Sequence, residues 1–541
     1  MRRLPESSSK GNTPVAGGAV PRVLLDAAPL LALGVLLFSS DARFTFLDDE
    51  ATILSNAAQP LRAVIAAAFR SSPGAPPHPL LYDLLLHVWL SLTGGAPTLL
   101  RVPSFVFFLA GVWLLSRAAL RIGGQLSGTS MIWLTALWPY GFHYARLATG
   151  YSFAFFLIAA LTWAYLSHAA EPSLSAWALV CLLAILLIWT SYFGWILLAV
   201  LGVEEMIRNR GRESATAARL ALTAALLAVT SVPLWRSFAS ATRDALGTHL
   251  SWRAAIFNLA YHLYVLMVSE SVAPWYWKFG IPAALAVVAS LVLVFVGVHG
   301  QARRFLLYAA LLLACMGVIG TVNSERLLLV APWFLLPAAV AIGTVHASTW
   351  RRLIALSLAI VAGVGWYGVL ARVYYAQPPF VEPWGDLAVE AGNAIRQGGA
   401  VIGNDPAFFL YLTYAFRAPQ SISPWRYVGS LPSVVNYPQV WSADDWEAAG
   451  RPLRPTVLWI AKAPESSSVD EASKWLDQNC GDRIDRHLAR DSSYVWRQRF
   501  LDPAAAGPWL IEVRQYSCGA NSAAPPAATP PVAAPPPAKS R

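Results

Sequence analysis

Apolar residues in this chain fall into long runs separated by short polar intervals. The runs at 23–39, 102–120, 126–144, 151–168, 217–234, 281–298, 305–320, 327–345 and 353–370 come close to the ~20 residues that carry an α-helix across a bilayer. The run at 174–206 is too long for one crossing, and TSYFGW at 190–195 divides it into two. The pattern predicts about eleven transmembrane helices. Two shorter stretches, 61–69 and 80–92, are read as helices lying in the interface; the second contains Asp83 and His87, one helical turn apart and able to pair. Counting 80–92 as a crossing would put Arg117 and Arg121 outside. The segment up to Lys278, with Trp252, Tyr261, His262, Tyr264, Trp275, Tyr276 and Trp277, has the makeup of an interfacial aromatic belt.

Beyond Tyr375 the pattern shortens. Residues 400–416 read as a strand, a turn at Asn404-Asp405-Pro406 and a helix. Residues 456–463 read as a strand, 468–480 as a capped amphipathic helix and 509–516 as a last strand. Together they suggest a small α/β domain. The tail from Gly519 is rich in Pro and Ala and is expected to be disordered. The chain thus divides into a flexible N-terminus (1–21), a transmembrane domain (22–372), the α/β domain (373–518) and the tail (519–541).

Charge orients these elements. Arg2, Arg3, Lys10 and Arg22 precede the first run, and further arginines stand at 208–212, 303–304 and 351–352. The positive-inside tendency makes the N-terminus cytoplasmic and puts everything after Arg372 outside; the interval near Glu171 is the exception. No removable signal peptide is read at the N-terminus. With 56% hydrophobic and 13% charged residues, the 541-residue chain is a polytopic helical membrane protein. The net charge of +10 is topological rather than a nucleic-acid footprint. There is no P-loop and no dinucleotide fingerprint. Cys181 and Cys315 lie inside apolar runs, whereas Cys480 and Cys518 share the polar C-terminal part, where an external location favours a disulfide between them.

Candidate chemistry begins just past the first run, where Asp48, Asp49 and Glu50 stand together. Three adjacent carboxylates repel one another, which favours a raised pKa for at least one. A base there could take a proton from a hydroxyl arriving from water while a lipid-borne substrate comes from the side. A hydrated loop that ends a helix is the competing interpretation.

This acidic pair after the first run is followed by a helix opening with HPLLY, then by LLRVPS and a run ending RAALRIGG; that order resembles the GT-C glycosyltransferases, in particular bacterial members akin to dolichyl-phosphate-mannose protein mannosyltransferases and the lipid A aminoarabinose transferase. LDDEATILSNAA looks like that family's acidic loop, HPLLYDLLLHVWLSLTG its HPPLYY-type helix with Leu80 at the second proline, and LLRVPSFVFFLAGV its RLPS segment. HYARLATGYSFAFF resembles the R-x-Y segment, with Thr149 where an arginine is common and Arg146 the nearest substitute. SERLLLVAP resembles the late loop whose arginine holds the donor phosphate.

The resemblance implies a bacterial inner-membrane enzyme that moves a sugar from a polyprenyl-phosphate donor to a hydroxyl acceptor, whether protein, lipid or glycan. It implies Asp49 as the base, Glu50 as its tuning or acceptor-orienting partner, and Arg326 on the donor phosphate. Asp48, His78, Arg101, Arg146 and Tyr151 are further substrate-binding candidates; His78 also suits a helix start ahead of Pro79, and the arginines suit snorkelling at span ends. A divalent ion beside Asp49, Glu50 and His78 is chemically reasonable, but nothing fixes a ligand count, so no metal site is assigned. The competing functions are a transporter or flippase for a lipid-linked sugar, which is expected to show repeated halves not seen here, and a non-catalytic scaffold of an envelope-assembly complex.

Overall fold

The computed structural model describes residues 22–40, 48–69, 80–94, 99–209, 213–235, 239, 252–318, 324–370, 384–403, 426–428, 431–433, 440–462, 467–489 and 509–518. Both termini, His78, the turn expected at 404–406 with the helix after it, and the side chains of Asp48 and Asp49 lie outside the described residues.

The described residues of the N-terminal part form helices joined by turns, with no strand among them. Helix α1 (Arg22–Ser40) is followed by α2 (Asp48–Ala57), α3 (Leu61–Phe69) and α4 (Leu80–Thr93). Next come α5 (Val102–Gly123), α6 (Gln125–Ala136), α7 (Pro139–Tyr144) and α8 (Gly150–Ala170). Among the described residues, five helices are long and apolar enough to cross a membrane, and five shorter apolar helices accompany them. The centre of the bundle is α8, 72% buried across its apolar window against 17% for Ser214–Leu234. Its sequence explains this: GYSFAFFLIAALTWAYLSHAA is apolar all round, and its alanines let α5 and α9 (Leu174–Ile188) approach closely.

Several continuous apolar runs are broken in the structure. The run 126–144 splits because Pro139 has no amide hydrogen to continue α6, and the residue ahead of it, Trp138, is extended (φ −83°, ψ 106°). The run 174–206 breaks between α9 and α10 (Gly194–Arg208), within TSYFGW. The run 327–345 opens as a 3₁₀ turn, Glu325–Leu329, before the helix Ala331–Thr344. The aromatic segment also differs from expectation. Trp252–Val268 is a helix, and Tyr261, His262 and Tyr264 on it are buried, while Trp252, Tyr276 and Trp277 face outward as a belt would. The Asp83–His87 pair does not form; His87 Nδ1 instead meets the Ala57 carbonyl at 2.8 Å, tying α4 to the end of α2.

Buried acids at the end of α10 gather cations. Glu205 pairs with Arg208 at 2.7 Å and with Arg219, and Glu204 pairs with Arg304 at 2.8 Å and with the Tyr308 hydroxyl. An apolar groove of about 410 Å³ opens beside this network between α8, α9 and α11 (Glu213–Ser231), lined in part by His168, Trp177 and Arg219.

The C-terminal unit is a mixed sheet in the order β4-β1-β5-β7-β6, with a separate antiparallel pair of β2 (Arg426–Val428) and β3 (Leu431–Ser433). Strand β1 (Ala400–Gly403) runs parallel to both β4 (Val440–Ser442) and β5 (Thr456–Lys462). Strand β7 (Trp509–Ser517) is antiparallel to β5 and to β6 (Arg483–Ala489). Alternation puts Ile402, Val457 and Trp459 on one face, under helices Ala443–Ala448 and Ser467–Asn479. The other face is covered by Trp384–Arg396. Burial raises the Tyr516 phenol above its ordinary range. A disulfide joins Cys480, just past one helix, to Cys518, just past β7.

Candidate functional site

The acidic triplet opens α2, and the free amides of a helix's first turn favour negative charge. The third of them, Glu50, is fully buried. Arg101 Nε and Nη2 donate to Glu50 Oε1 and Oε2, each at 2.8 Å, in a fork that matches guanidinium to carboxylate. The Ala148 amide donates to Oε1 at 2.7 Å. Arg101 is itself only 1% exposed; it caps α5 ahead of Pro103 and does not snorkel. Through Glu50, the start of α2, the start of α5 and the turn after α7 become one body.

That turn is the hub of the region. Ser104 Oγ donates to the Leu147 carbonyl at 2.7 Å and meets Tyr82 Oη of α4 at 2.9 Å. Ser152 Oγ of α8 donates to the Ala145 carbonyl at 2.5 Å. The resemblance to the R-x-Y segment falls on this hub, and the structure places Arg146 in its interior, with its guanidinium 4.3 Å from the centre of the Phe142 ring. Tyr151 is half-buried in the first turn of α8.

The other side of the hub carries a second buried acid that sequence reasoning missed. Glu270 follows the helix Trp252–Val268 and is 1% exposed. Its carboxylate accepts from Tyr144 Oη at 2.5 Å, Tyr261 Oη at 2.8 Å and Ser324 Oγ at 2.6 Å. Its neighbour Ser269 caps that helix in the left-handed region (φ 70°), where glycine is usual, and its hydroxyl lies 2.5 Å from His143 Nδ1. Gly365 and Gly368 of Ser348–Leu370 make room for this turn: a Cβ on Gly365 would sit 2.5 Å from the Val268 carbonyl, and one on Gly368 2.5 Å from Ser271 Cβ. The available signal was the lone acid in MVSESVAP, since an ionisable residue in an apolar setting marks function by default.

Arg326 lies two residues beyond Ser324, in the turn Glu325–Leu329, half-buried with its guanidinium 5.7 Å from the Phe193 ring. Tyr140 Oη donates to the Ser324 carbonyl at 2.5 Å, so the hub also holds this turn. Glu50, Arg101, Arg146 and the base of the Arg326 turn are therefore linked through residues 139–149. Among the described residues, no group of three His, Cys, Asp or Glu side chains is placed to hold a metal ion.

The chain shares its fold with solved structures. It is similar to ArnT from Cupriavidus metallidurans in the apo state, with TM-score 0.53 and 14% identity over 91% of this chain and 97% of that one. It is also similar to the same protein bound to undecaprenyl phosphate, with TM-score 0.53 and 13% identity over 93% and 99% of the two chains. The fold of ArnT is thus shared over nearly the whole length, in line with the resemblance carried by the order of motifs. No family model matches the chain, and no curated protein matches it in sequence.

Proposed function

We propose that this chain is an inner-membrane glycosyltransferase that moves a sugar from a polyprenyl-phosphate donor to a hydroxyl acceptor at the periplasmic face. The observation that carries this is the fold held in common, over more than nine-tenths of the chain, with ArnT solved bound to undecaprenyl phosphate. The buried tie between the acidic turn and the hub adds support, because it fixes a carboxylate-bearing helix start beside the turn that leads into α8. On this proposal the chain crosses the membrane about eleven times, with a cytoplasmic N-terminus and the 373–518 unit outside.

In the proposed mechanism Asp49 takes the proton of the acceptor hydroxyl as its oxygen bonds to the anomeric carbon. The bond from that carbon to the carrier phosphate breaks, and its electron pair leaves on the phosphate. Arg326 opposes the negative charge growing there, with more effect in the transition state than in the ground state. Glu50, already held by Arg101 and Ala148, fixes the turn that carries Asp49. Asp48, His78, Arg146 and Tyr151 are assigned to the donor and acceptor.

The test is transfer of labelled sugar from a polyprenyl-phosphate donor in membranes matched for expression. Asp49→Asn should cut the rate by the ~10²–10⁴ that a general base supplies. Arg326→Ala should weaken both donor binding and chemistry, and Arg326→Lys should recover part, since it restores charge without the fork. Wild-type transfer by folded Asp49→Asn protein would remove Asp49 from the mechanism.

A further inference from the structure

From the geometry around Glu270 we infer that it is a positioning residue, which sets the place of the turn carrying Arg326 and so tunes affinity for the carrier phosphate. This rests on the assignment of Arg326 to that phosphate.

The three hydroxyls on Glu270 come from three separate segments: α7, the helix Trp252–Val268, and the start of the Arg326 turn. A carboxylate suits this meeting because it only accepts; three O–H groups can all point at it, and each bond is strengthened by its charge. An amide of the same shape would bring an NH₂ group against at least one hydroxyl. Glu270 is in turn fixed from behind. Ser271 Oγ donates to the Gly365 carbonyl at 3.0 Å, and Ser269 is held by His143.

Ser324 is gripped twice, by Glu270 at its hydroxyl and by Tyr140 at its carbonyl. Arg326 follows within the same 3₁₀ turn, so the direction of its guanidinium is inherited from Ser324. A shift of about 1 Å in such a support is enough to cost roughly 10²-fold where geometry matters. Glu270 is not proposed to touch the substrate; it acts through Arg326.

The experiment measures binding of undecaprenyl phosphate to the purified full-length protein. The variants are Glu270→Gln, Ser324→Ala, Arg326→Ala and the double variant Glu270→Gln/Arg326→Ala, each checked for folding by thermal melting. Glu270→Gln should weaken binding about tenfold, which is roughly 1.4 kcal/mol. Ser324→Ala, which leaves the buried carboxylate in place, should weaken it a few-fold. The double variant should bind no more weakly than Arg326→Ala alone, because both act on one contact. Folded Glu270→Gln with wild-type affinity would overturn the inference while leaving the glycosyltransferase proposal intact. So would losses in the double variant that multiply, since that is the result of general structural damage. Wild-type binding by Arg326→Ala would overturn the Arg326 assignment and this inference with it.

Discussion

Removing Arg101 while keeping Glu50 isolates what the buried fork contributes. Both side chains are essentially without solvent contact, so water does not screen the pair. With two N–H···O contacts of 2.8 Å, the charge centres lie about 4 Å apart; at an effective dielectric of about 20 that attraction is roughly 4 kcal/mol. Arg101→Met keeps the packing volume but leaves the carboxylate with the Ala148 amide and no arginine fork. The expected cost is about 3–5 kcal/mol, the range for breaking a buried pair by removing one partner. The double variant Glu50→Leu/Arg101→Met should regain most of it, because no charge is then stranded. Reversible unfolding in mixed detergent measures each free energy. A loss below about 1 kcal/mol for Arg101→Met, or a double variant no more stable than the single, would refute the account of Glu50 as a carboxylate dependent on Arg101.

Two further outcomes follow from the fold. Cys480→Ser should destabilise the C-terminal unit by about 2–4 kcal/mol, since the bond closes a loop with a sequence separation of 38; limited proteolysis reads this, and wild-type resistance would count against it. Single cysteines introduced at Gln397 and at Asn209 should label from opposite sides of the membrane, and labelling from one side would overturn the proposed topology.

Helices that cross or nearly cross a membrane were legible because their length and apolar character are imposed by the bilayer itself. Breaks at proline were legible in principle, as Pro139 shows, yet a continuous apolar run hides them. Residues 252–268 were harder. A tyrosine facing lipid headgroups and a tyrosine donating to a buried acid look alike in sequence, so Tyr261 read as belt although it serves Glu270. Strand β6, RIDRHLA, went unread because it lies at the sheet edge and keeps a polar, exposed side. In the site, the acidic turn and Arg101 were both visible, but their pairing was not. Nothing in a chain of letters reveals that residues 51 positions apart share a fork.

The same separation imposes an order on biogenesis. Glu50 leaves the ribosome 51 residues before Arg101 and 98 residues before Ala148. At ~5–20 residues per second, the acid waits roughly 3–10 s for its arginine and about twice that for its amide. During that interval the nascent α2 carries a carboxylate with neither of these native partners, which keeps it near water or the translocon wall. It can settle into the protein interior only once the starts of α5 and α8 have arrived. A chain that stalls before either has arrived lacks both of the ties that hold the start of α2 in the finished protein.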